Sequence, residues 1–310
     1  MPEGPEVTII TEGLNKLLKG KYINNFIVNK GSRYTKKAFD GCNQFMSKLP
    51  LKIIEIKNKG KFIYWILSDN TYVFQTLGMS GVWYHHYKPN TCFTLLYGDE
   101  PEHDLNSGNK NDNDKTCKNN NCENKNSNSK NKKDNTINNK KLYFVDQRHF
   151  ATWKVVFSKQ KLQDKLNTIG PDILNDTKFN KEKFLKLIKR YPNKDIASFL
   201  MNQKYISGIG NYLKSEILYE TKINPNTLIS NLSDSLLEQL YVNARTKIYS
   251  SYKKGGASLR HYSDIEDKKG LFEFEFKVYG KKQDPLGNTI ISELTKDKRK
   301  TYWVPKIQTN

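Results

Sequence analysis

Cysteine is scarce in this sequence: Cys42, Cys92, Cys117 and Cys122 are the only four in 310 residues, and no two of them form a CxxC pair. They are too few and too scattered for a disulfide scaffold, which points to a reducing compartment. Without a CxxC pair they also fail the spacing of a zinc site. Long apolar runs are missing as well. Mean hydropathy is -0.77, and no stretch approaches the ~20 apolar residues of a membrane-spanning helix. The N-terminus opens on Pro2, Glu3 and Glu6 rather than on a basic patch and an apolar run, so no secretory leader is expected. Acidic residues are in deficit, 32 against 52 Lys and Arg, a net charge of +20. An excess of that size calls for a polyanionic partner, nucleic acid ahead of a membrane surface.

What is present divides into parts. At 36.1 kDa the chain suits two domains and can bury a sizeable core. Residues 106–141 hold 14 Asn and 9 Lys among 36 positions, with almost no apolar side chains. Such a stretch does not bury enough surface to offset its ordering entropy, and it reads as a disordered insertion within a loop between two strands. Cys117 and Cys122 fall inside it. Before it, Val7, Ile10, Leu14, Leu17 and Leu18 recur at helical steps, with Gly20 as a C-cap. LKIIEIK (51–57), KFIYWIL (61–67), TYVFQTL (71–77) and GVWY (81–84) follow as short β-branched and aromatic runs broken by turn residues. YFVDQRHFATWKVVF (143–157) resumes that pattern beyond the insertion. This half reads as a β-sandwich with a helix packed on it. Helical spacing then takes over in Phe184–Ile188, Ile196–Leu200 and Leu213–Leu218. A further helix starts near Ser235, with Glu238 completing a capping box, and ends at Gly255–Gly256. FEFEFKVYG and TYWVP, flanking the turn signal DPLGN, predict a terminal β-hairpin. The domain boundaries expected are 2–160, 161–264 and 265–310.

Two motifs carry chemistry. MPEGPEV places a small residue second, so removal of Met1 is expected to expose Pro2 as a secondary amine. An α-amino group titrates near ~8, so a useful fraction is nucleophilic at neutral pH. Attack on an aldehyde-level carbon gives an iminium ion, an electron sink for elimination, and Glu3 stands beside it to move protons. By themselves Pro2 and Glu3 suit an ordinary helix start better than a reaction centre. The second motif, QKYISGIGNYLKSEILYETKINP (203–225), sets GIGN between two helical segments. Gly208 and Gly210 permit a tight turn, and backbone N–H groups with the Asn211 side chain make a phosphate site.

MPEGPEV and QKYISGIGNYLKSEIL together resemble the formamidopyrimidine-DNA glycosylase / endonuclease VIII family, over nearly the whole chain apart from the insertion. The resemblance implies an α+β protein with an N-terminal β-sandwich and a helix–two-turn–helix domain. It implies that Pro2 attacks C1′ of a damaged nucleotide, that Glu3 shuttles protons, and that Glu6 supports the N-terminal helix. Lys61, in NKGKF, matches a lysine that holds a phosphate near the lesion. Met79 in LGMSG, with Arg148 and Phe150 in VDQRHF, matches side chains that fill the gap left by an everted base. His149 replaces a usual second arginine. Asn211 and Lys204 would grip the backbone.

The C-terminal hairpin departs from bacterial relatives, which hold it with four zinc-binding cysteines. The segment from Lys277 to Gln308 contains no cysteine and no histidine. It is similar to the zincless finger of eukaryotic and giant-virus endonuclease VIII-like proteins, with Val304 and Ile307 where two cysteines would stand and Arg299 as the finger arginine. The resemblance therefore implies a monomeric, cofactor-free and zinc-free enzyme of base-excision repair acting on double-stranded or damaged DNA. It removes oxidised pyrimidines, hydantoins or formamidopyrimidines and cuts by β,δ-elimination, in the nucleus, a viral factory or another DNA-containing compartment. An 8-oxoguanine preference, or an inactive DNA-binding protein of the same fold, are the alternatives.

Overall fold

A computed structural model describes residues 2–101, 140–257 and 270–309. The chain opens with α1 (Gly4–Leu18), which buries Val7, Ile10, Leu14 and Leu18 along one face. Its first turn contains Pro5, whose missing N–H is one the helix leaves unpaired anyway. Gly20, at φ +86°, closes the helix.

Eight strands follow: β1 (Tyr22–Val28), β2 (Leu51–Lys59), β3 (Phe62–Leu67), β4 (Tyr72–Thr76), β5 (Val82–Tyr84), β6 (Thr91–Gly98), β7 (Lys140–Val145) and β8 (Thr152–Val156). A short helix, α2 (Cys42–Ser47), sits between β1 and β2. All pairings are antiparallel, in the order β5-β7-β6-β1-β2-β3-β4-β8. Trp83 on β5 and Trp153 on β8 stand at opposite edges of that order, yet their rings lie 5.8 Å apart. The sheet therefore folds over on itself, and Trp65, Phe93 and Phe144 fill the same core with α1 closing it. The expected sandwich is what forms. The loop-insertion reading needs one change, because Lys140 and Lys141 are already in β7, with Tyr97 opposite Lys140. Residues 102–139, which hold the rest of that segment with Cys117 and Cys122, lie outside the described residues.

The second half is helical: α3 (Lys159–Asn167), α4 (Lys181–Ile188), α5 (Ile196–Met201), α6 (Asn211–Thr221) and α7 (Asp234–Lys253). Helix α6 is buried nearly all round, at the centre of a core that includes Phe184, Phe199, Leu240 and Ile248. The cap of α7 is Ser233, whose hydroxyl accepts the Leu236 N–H, and not Ser235. Glu238 is not part of a capping box and instead pairs with Lys181 at 2.7 Å.

The terminal hairpin is real and its second strand contains the TYW of TYWVP, but its first strand is not FEFEFKVYG. It consists of β9 (Ile291–Leu294) and β10 (Lys300–Trp303), joined through 295–299. DPLGN forms a separate turn, tied by Asp284 to the backbone N–H groups of Leu286 and Asn288. FEFEF is not a strand: Phe272–Glu275 form a 3-10 turn, and Phe272 and Phe276, four residues apart, both pack on Tyr212. Alternation alone misread a helical spacing. No helix among the described residues is long and apolar enough to cross a membrane.

Candidate active site

Three glycines bring three distant parts of the chain into backbone contact. Gly4 starts α1, Gly60 (φ +55°) turns β2 into β3, and Gly208 (φ +97°) lies in the turn before α6. The Gly4 N–H donates to the Gly208 carbonyl at 2.8 Å. A Cβ on Gly60 would lie 2.7 Å from the Gly208 nitrogen, and one on Gly4 would lie 3.0 Å from the Gly208 Cα. Side chains here would push the two halves apart. Asp172, also buried, holds the β2–β3 turn by accepting the Gly60 N–H at 2.7 Å, and it receives the Leu174 N–H as well. That turn carries Lys61.

The crossing sets Glu3 against the start of α6. Its carboxylate accepts the N–H groups of Gly210 at 2.6 Å and Tyr212 at 2.9 Å, where the helix leaves its donors unpaired. A Cβ on Gly210 would sit 2.3 Å from the Glu3 carboxyl carbon and 2.5 Å from the Lys61 Nζ. Glycine is therefore required at 210 for the carboxylate and the ammonium to occupy one spot. Burial lifts the Glu3 pKa to about 7; Lys61 and the two N–H donors hold it down, while Glu6 adds to the rise. Burial likewise pushes the Lys61 ammonium below its ordinary range, against Glu3 and Glu6, and Arg299 adds to that depression. Burial thus moves both groups toward neutrality. Pro2, the residue before Glu3, is buried as well.

Glu6 has more partners than helix support requires. Its carboxylate accepts the Glu3 N–H, the Tyr212 hydroxyl and the Ala257 N–H, each at 2.7 Å. It thus joins α1, α6 and the chain that leaves α7. The sequence offered no signal for Tyr212 or Ala257.

A second group lies on the sandwich. Arg148 and Phe150 are exposed, Phe150 by 54%, with the guanidinium 5.6 Å from the ring centre. His149 takes φ +55° in the same turn. Buried Asp146 ties this turn to the one bearing Met79: it accepts the Ser80 hydroxyl at 2.6 Å and the Ala151 N–H at 2.7 Å. An added Cβ on Gly78 would meet the Phe150 backbone at 2.5 Å. Met79, Arg148 and Phe150 are therefore brought together, through Ser80 and Asp146, which sequence reasoning overlooked. Asn211 opens α6 and donates to the Lys300 carbonyl at 2.8 Å, with its Oδ1 left unpartnered. Lys204 is exposed in the preceding turn, and no side-chain contact joins it to Glu3, Lys61 or Asn211.

The finger has an apolar interior. Val278, Ile290 and Val304 form a small apolar cluster with Tyr219, against which Tyr302 and Ile307 pack. Glu216 of α6 accepts the N–H groups of Lys277, Val278 and Tyr279. Gln308 accepts the Val304 N–H and donates to the Ile223 carbonyl, both at 2.8 Å. These donors do not fit zinc, and among the described residues no cluster of His, Cys, Asp and Glu could hold a metal ion.

Three family models match the chain: the N-terminal domain of formamidopyrimidine-DNA glycosylase over residues 1–153, its H2TH domain over 169–263, and its C-terminal domain over 263–309. The chain belongs to the formamidopyrimidine-DNA glycosylase family. A formamidopyrimidine-DNA glycosylase of Wolbachia pipientis wMel is 28% identical over 98% of both chains. One of Ureaplasma parvum is 28% identical over 99% of this chain and all of the other. Among solved structures, a Lactococcus lactis Fpg mutant in complex with DNA containing Fapy-dG superposes with a TM-score of 0.77 at 22% identity, over 100% of both chains. A Lactococcus lactis Fpg complex with DNA containing an abasic site gives 0.76 at 21% identity. The two-domain fold of the family is the fold found here.

Proposed function

We propose that this chain excises oxidised bases from DNA and cleaves the strand at the abasic site that results, a step of base-excision repair. The observation that carries the reading is the meeting of Glu3 and Lys61 at the N-terminus of α6, held by Gly4, Gly60 and Gly208, with the buried Pro2 next to Glu3 in the chain. In this reading the freed amine of Pro2 attacks C1′, the base leaves with a proton, and the sugar ring opens to an iminium ion. Glu3, with a pKa of about 7, gives a proton to the ring oxygen and takes one back. Loss of a C2′ proton expels the 3′ phosphate, and a second elimination expels the 5′ phosphate. Lys61, Asn211 and Arg299 hold phosphates, and Met79, Arg148 and Phe150 fill the place of the everted base. Lys204 adds a non-specific charge contact. The net charge of +20 supports strong, salt-sensitive binding of duplex DNA.

The finger is read as zinc-free, on the apolar cluster of Val278, Ile290 and Val304. That feature supports an affinity with the zincless endonuclease VIII-like proteins, although the relatives reported above are bacterial formamidopyrimidine-DNA glycosylases. Lesion choice between formamidopyrimidines, hydantoins, oxidised pyrimidines and 8-oxoguanine follows from a substrate panel. The deciding experiment is borohydride trapping on duplexes carrying one hydantoin or one abasic site, with the adduct located by mass spectrometry. Attachment at Pro2 is the expected result. No adduct with either duplex, from protein lacking Met1, would leave a DNA-binding protein without enzymatic activity.

A further inference from the structure

The hairpin that carries Arg299 is anchored to α6 by a buried ion pair. Lys214 lies one helical turn beyond Asn211, and its side chain is 0% exposed. Its Nζ reaches the Asp297 carboxylate at 2.6 Å, and the Asp297 side chain is only 5% exposed. The other oxygen of that carboxylate is occupied inside the turn, where it accepts the Thr295 hydroxyl and the Arg299 N–H. Thr295 and Thr301 hydroxyls are hydrogen-bonded at 2.6 Å, and the Lys298 N–H donates to the Thr295 carbonyl at 2.8 Å. Lys298 itself takes the left-handed conformation, φ +60°. The turn is thus a closed unit whose one ionic tether to the body of the protein, among the described residues, is Lys214.

The rest of the hairpin docks by other contacts. Asn211 and Ser215, which lie beside Lys214 on the helix, meet the backbone of Lys300 and Tyr302. Glu216 caps the segment entering the finger, and the apolar cluster holds the strands. None of these fixes residues 295–299. Meanwhile the same helix receives Glu3 at its first turn. One rigid element therefore holds Glu3 at one end and the Arg299 turn three residues further on.

Burying an ammonium is expensive, and a buried ion pair is poor value as stability alone, since apolar residues of similar volume commonly do as well. It does, however, impose one position on both partners. We propose that the Lys214–Asp297 pair is a positioning device which fixes the Arg299 guanidinium relative to Pro2, Glu3 and Lys61 for phosphate binding at the lesion. The proposal rests on the reading of Arg299 as a phosphate ligand given above.

The test is a double-mutant cycle on abasic-site duplex DNA, measuring affinity against salt and the single-turnover cleavage rate. Wild-type cleavage comes first, because its failure sinks the functional reading rather than the pair. Lys214→Met and Arg299→Gln are each expected to weaken binding about 10- to 100-fold, the effect of one charge-assisted contact. Each should also shallow the slope of log K against log salt by about 0.9, the signature of one lost phosphate contact. Combined, they should be no worse than Arg299→Gln within two-fold. Wild-type affinity and slope in Lys214→Met, or effects that multiply in the double variant, would overturn the proposal. Should Lys214→Met not fold, the neutral pair Lys214→Met with Asp297→Asn, which keeps the contacts within the turn, enters the cycle with the same two outcomes.

Discussion

Glu3 is the residue on which folding and chemistry make opposite demands. Its carboxyl is buried and its pKa rises from 4.5 to about 7. A raised carboxyl pKa means that the folded protein prefers the protonated form. The associated stability is complete below pH 4.5 and is lost as pH rises through 7. The shift corresponds to about 3 kcal/mol. Glu3→Gln, which has no charge to bury, should therefore gain on wild type by about that amount between pH 5 and pH 8 in parallel melts, while its trapping yield collapses. A constant difference across that range would contradict the assignment. Gly210 gives a sharper case. Gly210→Ala directs a methyl group at the Glu3 carboxyl and the Lys61 ammonium. Cleavage should fall at least about 100-fold, as expected when reacting groups move by an ångström, and far-UV circular dichroism should be unchanged.

At the scale of elements, the zinc-free reading of the finger rests on apolar contact. Val304 is fully buried beside Val278 and Ile290. Val304→Ala should cost about 2 kcal/mol from two lost methyl groups and the cavity they leave. EDTA should move neither the melting temperature nor the cleavage rate, and metal analysis should find no stoichiometric zinc. A chelator-sensitive rate would refute the zinc-free reading. The finger is also where the sequence was least legible. FEFEF alternates as a strand does, but Phe272 and Phe276 meet the same ring of Tyr212 because the chain turns there. Outside the finger, Ser233 and Ser235 both stand at the start of α7, and the Leu236 N–H bond to the Ser233 hydroxyl marks the cap. By contrast α1, β2 to β5, β7, β8 and the turn before α6 follow from local spacing, while β1 and β6 gave no distinct signal. The residues of MPEGPEV and GIGN meet as their pattern implies, whereas Asp172, Asp146 and Tyr212 reach partners 66 to 206 positions away, which no local pattern encodes.

At the scale of the molecule, two halves share one site, and β6 and β7 pair directly with each other. Tyr97 and Lys140 are direct partners across those strands, so the sheet closes there without the intervening sequence. Replacing residues 104–137 by a short turn should leave the melting temperature within about 2 °C and trapping at low salt intact, a loop change being cheap in entropy. A large loss of trapping would assign that segment a part in the reaction.

The crossing of Gly4, Gly60 and Gly208 has a consequence for the life of the chain before it is finished. Residues 2–4 leave the ribosome first, and residues 207–211 come some two hundred residues later. Until both are present and docked, Glu3 has neither its burial nor its N–H donors, so its pKa stays at the ordinary carboxyl value. The amine of Pro2 then has no acid–base partner tuned to neutrality. On the mechanism proposed above, the reacting groups are therefore assembled only once both ends of this crossing have docked.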